Sequence, residues 1–193
     1  MLRTRYITTV LILILTLTAL HSIYPRFMAG IYTLRADHYL GEKYYGLNIE
    51  YLKKAADYLP NNYEIKKKLG SSYYAESELK TRATEKLPLV RRSLEYYESA
   101  VSLNPVEAES VFGLARAEFY MEGLNEILRE KDAINPYNPL PWLKRAIDLR
   151  PNSSLFLYTL ALYYYNHSRD DELFIFEQPV PIPIEHDLFD DPE

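Results

Sequence analysis

Residues 51–74 read YLKKAADYLPNNYEIKKKLGSSYY, and the same pattern returns at residues 96–119 and 142–165. The prolines Pro60, Pro105 and Pro151 lie 45 and 46 residues apart. Several other positions keep these two intervals, namely Ala55, Ala100 and Ala146; Tyr51, Tyr96 and Trp142; Leu69, Leu114 and Leu160; Gly70, Ala115 and Ala161; and Tyr74, Phe119 and Tyr165. Because one register holds at so many positions, the chain is predicted to be a repeat protein.

Each proline follows one amphipathic helical pattern and precedes another. Before Pro60, apolar residues recur in steps of three and four between Ile49 and Leu59, which places them on one helical face. Proline cannot continue a helix, so the helix is predicted to end there. After it, Ile65, Leu69 and Tyr73 follow in steps of four and begin a second helix. The repeating unit is therefore a helical hairpin.

These hairpins resemble the tetratricopeptide repeat (TPR). The resemblance rests on Leu69, Gly70 and Tyr73 in a first helix and on Ala100 and Pro105 at the end of the next helix. It covers roughly residues 27–166 and implies an all-α solenoid of about three and a half hairpins, the first of them shorter.

The chain differs from that family in two ways. The later units exceed its length of about 34 residues, and the tryptophan typical of its first helix is missing. The extra residues are expected between the two helices of a unit, in 80–88 and 122–141, where residues 135–139 read NPYNP and predict a turn or extended stretch. HEAT-type repeats, which have about the observed period, are an alternative.

The N-terminal region carries an uncharged run from Ile7 to Tyr24, with Arg3 and Arg5 before it. Its 18 residues predict a membrane-spanning helix. A cleaved signal peptide is the rival, although Ala19-Leu20-His21 does not fit a small-x-small cleavage site. The basic residues favour a cytoplasmic N-terminus and an extracytoplasmic repeat domain, periplasmic in a bacterium. We therefore predict an anchor at 1–25, a repeat domain at 26–166 and a tail at 167–193.

The last helix and the tail raise a separate question. The helix at 155–165 is apolar on every face, whereas terminal repeats normally present a polar outer face. Its cover can be the tail, a second copy of the chain or another protein. In the tail, proline alternates with Val180, Ile182 and Ile184, which predicts an extended form, and an acidic end follows.

Composition and motifs argue against several functions. The chain has no cysteine, and neither phosphate-binding glycine loops nor the common hydrolase and metalloprotease motifs occur in it. Its four histidines are far apart, so we expect no metal, no cofactor and no enzymatic activity. Without residues 1–30, which hold three arginines and no acid, 19 basic and 27 acidic residues leave a charge of −8, which disfavours nucleic-acid binding.

One set of residues is a candidate for binding. Tyr74, Phe119 and Tyr165 follow their leucines by five residues and so point about 140° away from the hairpin seam. The TPR resemblance implies that they line a concave groove, and the candidate groove consists of Tyr39, Lys67, Ser71, Tyr74, Phe112, Arg116, Phe119 and Tyr165. Alternatively, the aromatic residues pack between adjacent hairpins. The run Lys66–Lys68 is predicted to form a solvated face.

These features predict a membrane-anchored, non-enzymatic scaffold that binds other proteins, or a subunit of a membrane complex. Self-association or partner contact through the helix at 155–165 is a further expectation. The layout of an apolar segment before a TPR-like array also resembles the extracytoplasmic tail of bacterial O-antigen polymerases and ligases. That likeness implies an alternative role as an accessory factor in envelope polysaccharide assembly.

Overall fold

The computed structural model describes the backbone of residues 2–128 and 137–167, with side chains from residue 13 onward. These residues form helices without strands, which confirms the all-α prediction. The helices are α1 (Leu2–Gly41), α2 (Tyr45–Tyr58), α3 (Tyr63–Glu78), α4 (Ala83–Leu103), α5 (Ala108–Ile127), α6 (Pro139–Leu149) and α7 (Ser154–His167). The predictions for the tail beyond His167 lie outside the described residues.

The helices pair in sequence order as the repeat predicts. Helix α1 packs on α2, α3 on α4 and α5 on α6, and each hairpin stacks on the next. Helix α7 packs on α6 and α5. The described part of the chain therefore contains three hairpins and one further first helix, as expected for about three and a half units.

The repeated prolines mark one recurring turn. The backbone N–H groups of Leu59, Asn104 and Arg150, each just before a proline, end the second helices by donating hydrogen bonds. Their acceptors are the carbonyls of the repeated alanines Ala55, Ala100 and Ala146, at 3.1, 2.9 and 3.0 Å. These alanines are fully buried, because a larger side chain would push the paired helices apart.

The extra residues of the later units lengthen helices, which corrects the sequence-based prediction of linking segments. Helix α4 begins at Ala83 and contains Pro88, and α5 continues to Ile127. The added turns bury Met121 and Leu124 against Val90, with Leu87 packed beside them. This burial favours continued helix despite the proline. Residues 129–136 lie outside the described part.

The predicted extended stretch at 135–139 also ends earlier than expected. Pro139 is the first residue of α6, a position where the missing N–H of proline would have no helical partner anyway. Tyr137 and Asn138 are not helical, in agreement with the prediction. The boundary of the turn therefore falls between Asn138 and Pro139.

Helix α1 differs in its two parts. Ala29 and Ala36 are buried against α2, whereas Leu13, Leu17 and Leu20 are exposed. Among the side chains described from residue 13 onward, no helix combines the length and apolar character needed to span a bilayer. The structure thus gives no support to the membrane-spanning helix predicted at residues 7–24.

Candidate functional site

The candidate site lies on the first-helix face, which we define as the surface built by α1, α3, α5 and α7. Neighbouring helices of this set touch one another. Asp37 of α1 pairs with Lys68 of α3 at 2.7 Å, and the Tyr74 ring of α3 lies 5.6 Å from the Tyr120 ring of α5. Helix α5 meets α7 through Phe112 and Phe156. The first helices thus form one continuous layer.

Tyr74 fills the seam between α3 and α5. Its side chain is 6% exposed, and burial raises the pKa of its hydroxyl. The guanidinium carbon of Arg116 lies 4.0 Å from the centre of the Tyr74 ring, a cation–π contact. Tyr120 lies on the other side of this seam and accepts a hydrogen bond of 2.8 Å from Lys86 Nζ. The protein's own side chains therefore occupy the space around Tyr74.

Tyr97 of α4 explains why α3 and α5 come so close. Its ring is fully buried between two glycines, Gly70 of α3 and Gly113 of α5. A Cβ atom on Gly70 would lie 2.9 Å from Cγ of the ring, and one on Gly113 would overlap the ring. Burial raises the pKa of Tyr97, and the nearby Arg116 and Ser71 side chains partly oppose this shift.

Ion pairs border the start of this seam. Lys67 Nζ lies 3.0 Å from a carboxylate oxygen of Glu109 and 3.4 Å from one of Glu107. Arg150, at the end of α6, lies 3.3 Å from Glu109. Partial burial lowers the pKa of Lys67, but its hydrogen bond to Glu109 and the acidic neighbours outweigh this effect and raise it overall.

The prediction of a solvated lysine face is thus wrong for two of the three lysines. Lys67 has a side chain that is 17% exposed, and Lys68 pairs with Asp37 of the preceding hairpin. Both form bridges between hairpins, Lys67 to the start of α5 and Lys68 to the last turns of α1. Lys66 instead lies 5.6 Å from the centre of the Tyr96 ring within its own hairpin.

Aromatic side chains also fill the seam between α5 and α7. Phe112 is buried and stacks on Phe156, with ring centres 4.3 Å apart. Phe119 is half-buried and meets the edge of the Tyr163 ring at 5.7 Å. Tyr165, the repeat equivalent of Tyr74, is 48% exposed. The accessible surface of this aromatic series therefore increases toward α7.

Tyr39 does not belong to the series in which the sequence placed it. Its ring stacks on Tyr51 at 5.3 Å, as Tyr73 stacks on Tyr96 at 5.6 Å, so Tyr39 is the counterpart of Tyr73. Buried hydrogen bonds fix the same register, since Asn48 donates to the Ala36 carbonyl at 2.7 Å.

The matching bond in the next hairpin runs from Ser93 to the Gly70 carbonyl, also at 2.7 Å. Ala36 therefore corresponds to Gly70, and the interval between the first two first helices is 34 residues. The first unit is shorter mainly because α4 begins ten residues before Ser93, whereas α2 begins only three residues before Asn48. The prediction assumed a different offset for Tyr39.

The structure brings most of the predicted site residues together. Arg116 of α5 lies over the rings of Tyr74 of α3 and Phe112 of α5, and Lys67 and Ser71 lie on α3 with Tyr74. Phe119 of α5 contacts Tyr163 of α7, the helix that also carries Tyr165. Tyr39 lies apart on α1. Whether these side chains bind a partner stays a prediction. Sequence reasoning missed Glu107, Glu109, Tyr97, Gly113 and Tyr120, although the rarity of glycine in the chain could have drawn attention to Gly113.

Metal binding has no evident location in the described residues. No group of three or more His, Asp or Glu side chains lies close enough there to hold a metal ion.

The accessible part of the site is polar and aromatic. Ser71 is exposed, and Arg116 is half-buried between Tyr74 and Phe112. What the site offers chemically is a mixed polar and aromatic surface suited to contact with another macromolecule.

Comparison with known proteins bears on the fold. No protein-family model matches the chain, and no curated protein matches it. A solved structure described as the first TPR of Spaghetti (RPAP3) bound to the HSP90 peptide SRMEEVD is similar, with a TM-score of 0.55 and 17% sequence identity. The match covers 73% of this chain and 94% of that one. The chain therefore has a TPR-like, all-helical repeat fold.

Proposed function

We propose that this chain is a non-enzymatic TPR-like scaffold that binds a segment of another protein on the first-helix face. The similar solved structure is a TPR with a bound peptide, and this observation supports a protein ligand. Five of the predicted site residues on α3, α5 and α7 keep accessible surface. They are Lys67, Ser71, Arg116, Phe119 and Tyr165. A bound segment would cross the array from α3 over α5 to α7.

The buried members of the predicted site have a different role in this proposal. Tyr74 and Phe112 lie under the surface and hold α3, α5 and α7 at fixed spacing. A rigid surface loses less conformational entropy when it binds. Tyr74 and Phe112 would therefore favour binding although they do not touch the partner. Only the accessible residues are therefore expected to touch a partner directly.

Site-specific photo-crosslinking tests this proposal in cells. A photoreactive amino acid would replace Ser71 or Tyr165 on the first-helix face, and Arg91, exposed on α4, would serve as the matched control. The proposal predicts a discrete protein adduct from positions 71 and 165 and none from position 91. Equal labelling at all three positions would contradict it. Adducts that contain polysaccharide would instead favour the alternative role in envelope polysaccharide assembly.

We propose in addition that residues 7–24 tether the scaffold to a membrane, with the repeat domain on the extracytoplasmic side. Two observations support the tether. The side chains from Leu13 to Tyr24 are exposed and uncharged, and the Thr16 and Thr18 hydroxyls donate to backbone carbonyls of their own helix. A hydroxyl bonded in this way does not need water. Residues 7–12 precede the described side chains, and Arg3 and Arg5 suggest the orientation.

Membrane fractionation tests the tether. The full chain should resist extraction by alkaline carbonate, whereas a chain that lacks residues 7–20 should be released. This deletion leaves in place the edge contact between Tyr24 and Tyr58, whose ring centres are 6.1 Å apart, so the domain should still fold. Release of the full chain would contradict the tether but leave the scaffold proposal intact. Protease treatment of intact cells would then test the orientation.

A further inference from the structure

Helix α7 exposes the side that second helices cover in the earlier hairpins. Gly70 and Ala115 are buried at one repeat position, whereas their equivalent Ala161 is exposed. At another position Tyr73 is 8% exposed, whereas its equivalent Tyr164 is 48% exposed. Since Tyr73 stacks on Tyr96 of α4, this is the side that faces a second helix.

A third position extends the exposed surface of α7. Leu157 is exposed, and its equivalents are the buried Val111 and Lys66, which lies over the Tyr96 ring of α4. Leu157, Ala161 and Tyr164 follow in steps of four and three, so they form one stripe along the helix. Helix α7 contains no Asp, Glu, Lys or Arg. The α7 stripe, as we call these three residues, is therefore an uncharged surface shaped to receive another segment.

We propose that residues 173–184 of the same chain cover the α7 stripe. Leu173, Phe174, Ile175 and Phe176 are consecutive apolar residues, and Val180, Ile182 and Ile184 follow at every second position. This composition matches an uncharged receiving surface, because apolar residues on both sides leave water together. The five residues 168–172 separate this segment from α7. In the earlier hairpins, links of three, four and eleven residues join the first helix to the second.

The segment is also long enough. Helix α7 has 14 residues and so measures about 21 Å, at a rise of 1.5 Å per residue. Twelve residues in extended form reach about 40 Å, which exceeds the length of the stripe. The prolines Pro179, Pro181 and Pro183 exclude a regular second helix over the later half of the segment, and an extended chain needs fewer residues to cover the same length.

Tethering favours this occupant over a second copy of the chain. A segment joined by a short link meets its site at an effective concentration in the millimolar range, far above that of a separate molecule. The proposal does not depend on the scaffold or tether proposals, because it concerns only how the last repeat is completed. It implies that the tail completes the array and withholds the α7 stripe from other partners.

Engineered disulfides test the proposal, and the chain has no cysteine of its own. In the full chain, purified in mild detergent, Ala161→Cys would be combined with Ile182→Cys. The matched control combines Arg91→Cys, exposed on α4, with Ile182→Cys. The proposal predicts an intramolecular disulfide that forms at least about tenfold faster for the 161/182 pair than for the control. Equal rates, or no disulfide, would overturn it, and predominantly intermolecular disulfides would assign the stripe to a second copy.

Hydrogen exchange provides a second measurement that needs no cysteine. Backbone amides of α7 should exchange more slowly in the full chain than in a chain that ends at residue 167. Helix α3, already covered by α4, serves as the internal control and should not change. Identical exchange of α7 in both chains would overturn the proposal. If the shorter chain does not fold, Phe174→Asp together with Ile182→Asp in the full chain replaces it, with the same expected loss of protection in α7.

Discussion

Similar residues are buried in the middle of the array and exposed at its two ends. Around Tyr97, the helices α3, α4 and α5 pack closely together, and Tyr74 and Arg116 fill the seam between α3 and α5. At the ends, apolar side chains of the same kinds remain exposed, on α1 before Tyr24 and on α7 after Ser154. Repeat position alone therefore does not decide whether a residue packs or is available for contact.

This contrast indicates where the stability and the contacts of the molecule reside. In a solenoid, each unit is stabilised mainly by its neighbours, so a middle unit has two sources of burial and an end unit has one. Substitutions of similar residues should therefore have large effects in the middle and small effects outside it. Four such comparisons follow, from the largest expected effect to the smallest.

The aromatic series gives the largest expected difference. Tyr74→Ala would empty the seam between α3 and α5 and should lower the free energy of unfolding by about 4 kcal/mol, as for other buried aromatic side chains. Tyr165→Ala, at the equivalent but half-exposed position of α7, should cost less than about 1 kcal/mol. Urea unfolding followed by circular dichroism measures both. Equal losses would show that the end is packed as firmly as the middle.

The glycine beside Tyr97 provides the next comparison. Gly113→Ala would drive a methyl group into the buried ring and should destabilise the fold by about 2 kcal/mol. Gly30→Ala in α1, where a Cβ would meet no atom within 4 Å, should instead stabilise the helix by up to about 1 kcal/mol. Thermal unfolding would show the opposite signs. A neutral Gly113→Ala variant would mean that Tyr97 can move aside and that the seam is not tightly fixed.

Local signals in the sequence were sufficient to predict the hairpins. Proline, the alanine five residues before it and the leucine nine residues after it act within one turn or one helix pair, and each repeats at the same interval. Within residues 2–128 and 137–167, the order of the hairpins and the proline turns are confirmed, because these signals act locally. Helix lengths were less predictable, because the continuation of α4 and α5 depends on the packing of Met121 and Leu124 of α5 against Val90 of α4.

The candidate site was harder to predict, because it depends on contacts between hairpins. The spacing of Tyr74 from Leu69 correctly indicates that Tyr74 leaves its own hairpin seam. It does not indicate that α5 lies close enough to cover Tyr74, since that distance depends on Gly113 and Tyr97. Tyr39 was assigned to the wrong series because the interval of 34 residues in the first unit differs from the later intervals.

The buried hydrogen bond of Ser93 gives a smaller effect. Its hydroxyl donates to the Gly70 carbonyl inside the second hairpin, so Ser93→Ala should cost about 1 kcal/mol. At the end of the array, Thr18→Ala removes a bond to the helix's own backbone on an exposed face and should change stability by less than about 0.5 kcal/mol. Chemical unfolding of both variants checks the difference. A larger loss for Thr18→Ala would indicate that the start of α1 is packed against something.

The smallest effect concerns the ion pairs that join α3, α5 and α6, and it depends on pH. The hydrogen bond from Lys67 lowers the pKa of Glu109, partly opposed by burial and assisted by Arg150. A carboxylate with a lowered pKa stabilises the fold above about pH 4.3, its value when unfolded, and this contribution disappears as the pH falls through the folded value. Since the side chain is half-exposed, solvent screening limits the effect to about 0.5 kcal/mol. The difference in unfolding free energy between the unmodified chain and Glu109→Gln should therefore shrink from pH 7 to pH 3, while Glu50→Gln, in an exposed pair on α2, should show almost no difference at either pH. A difference for Glu109→Gln that does not change with pH would mean that the charge of Glu109 contributes nothing to the contact between α3 and α5.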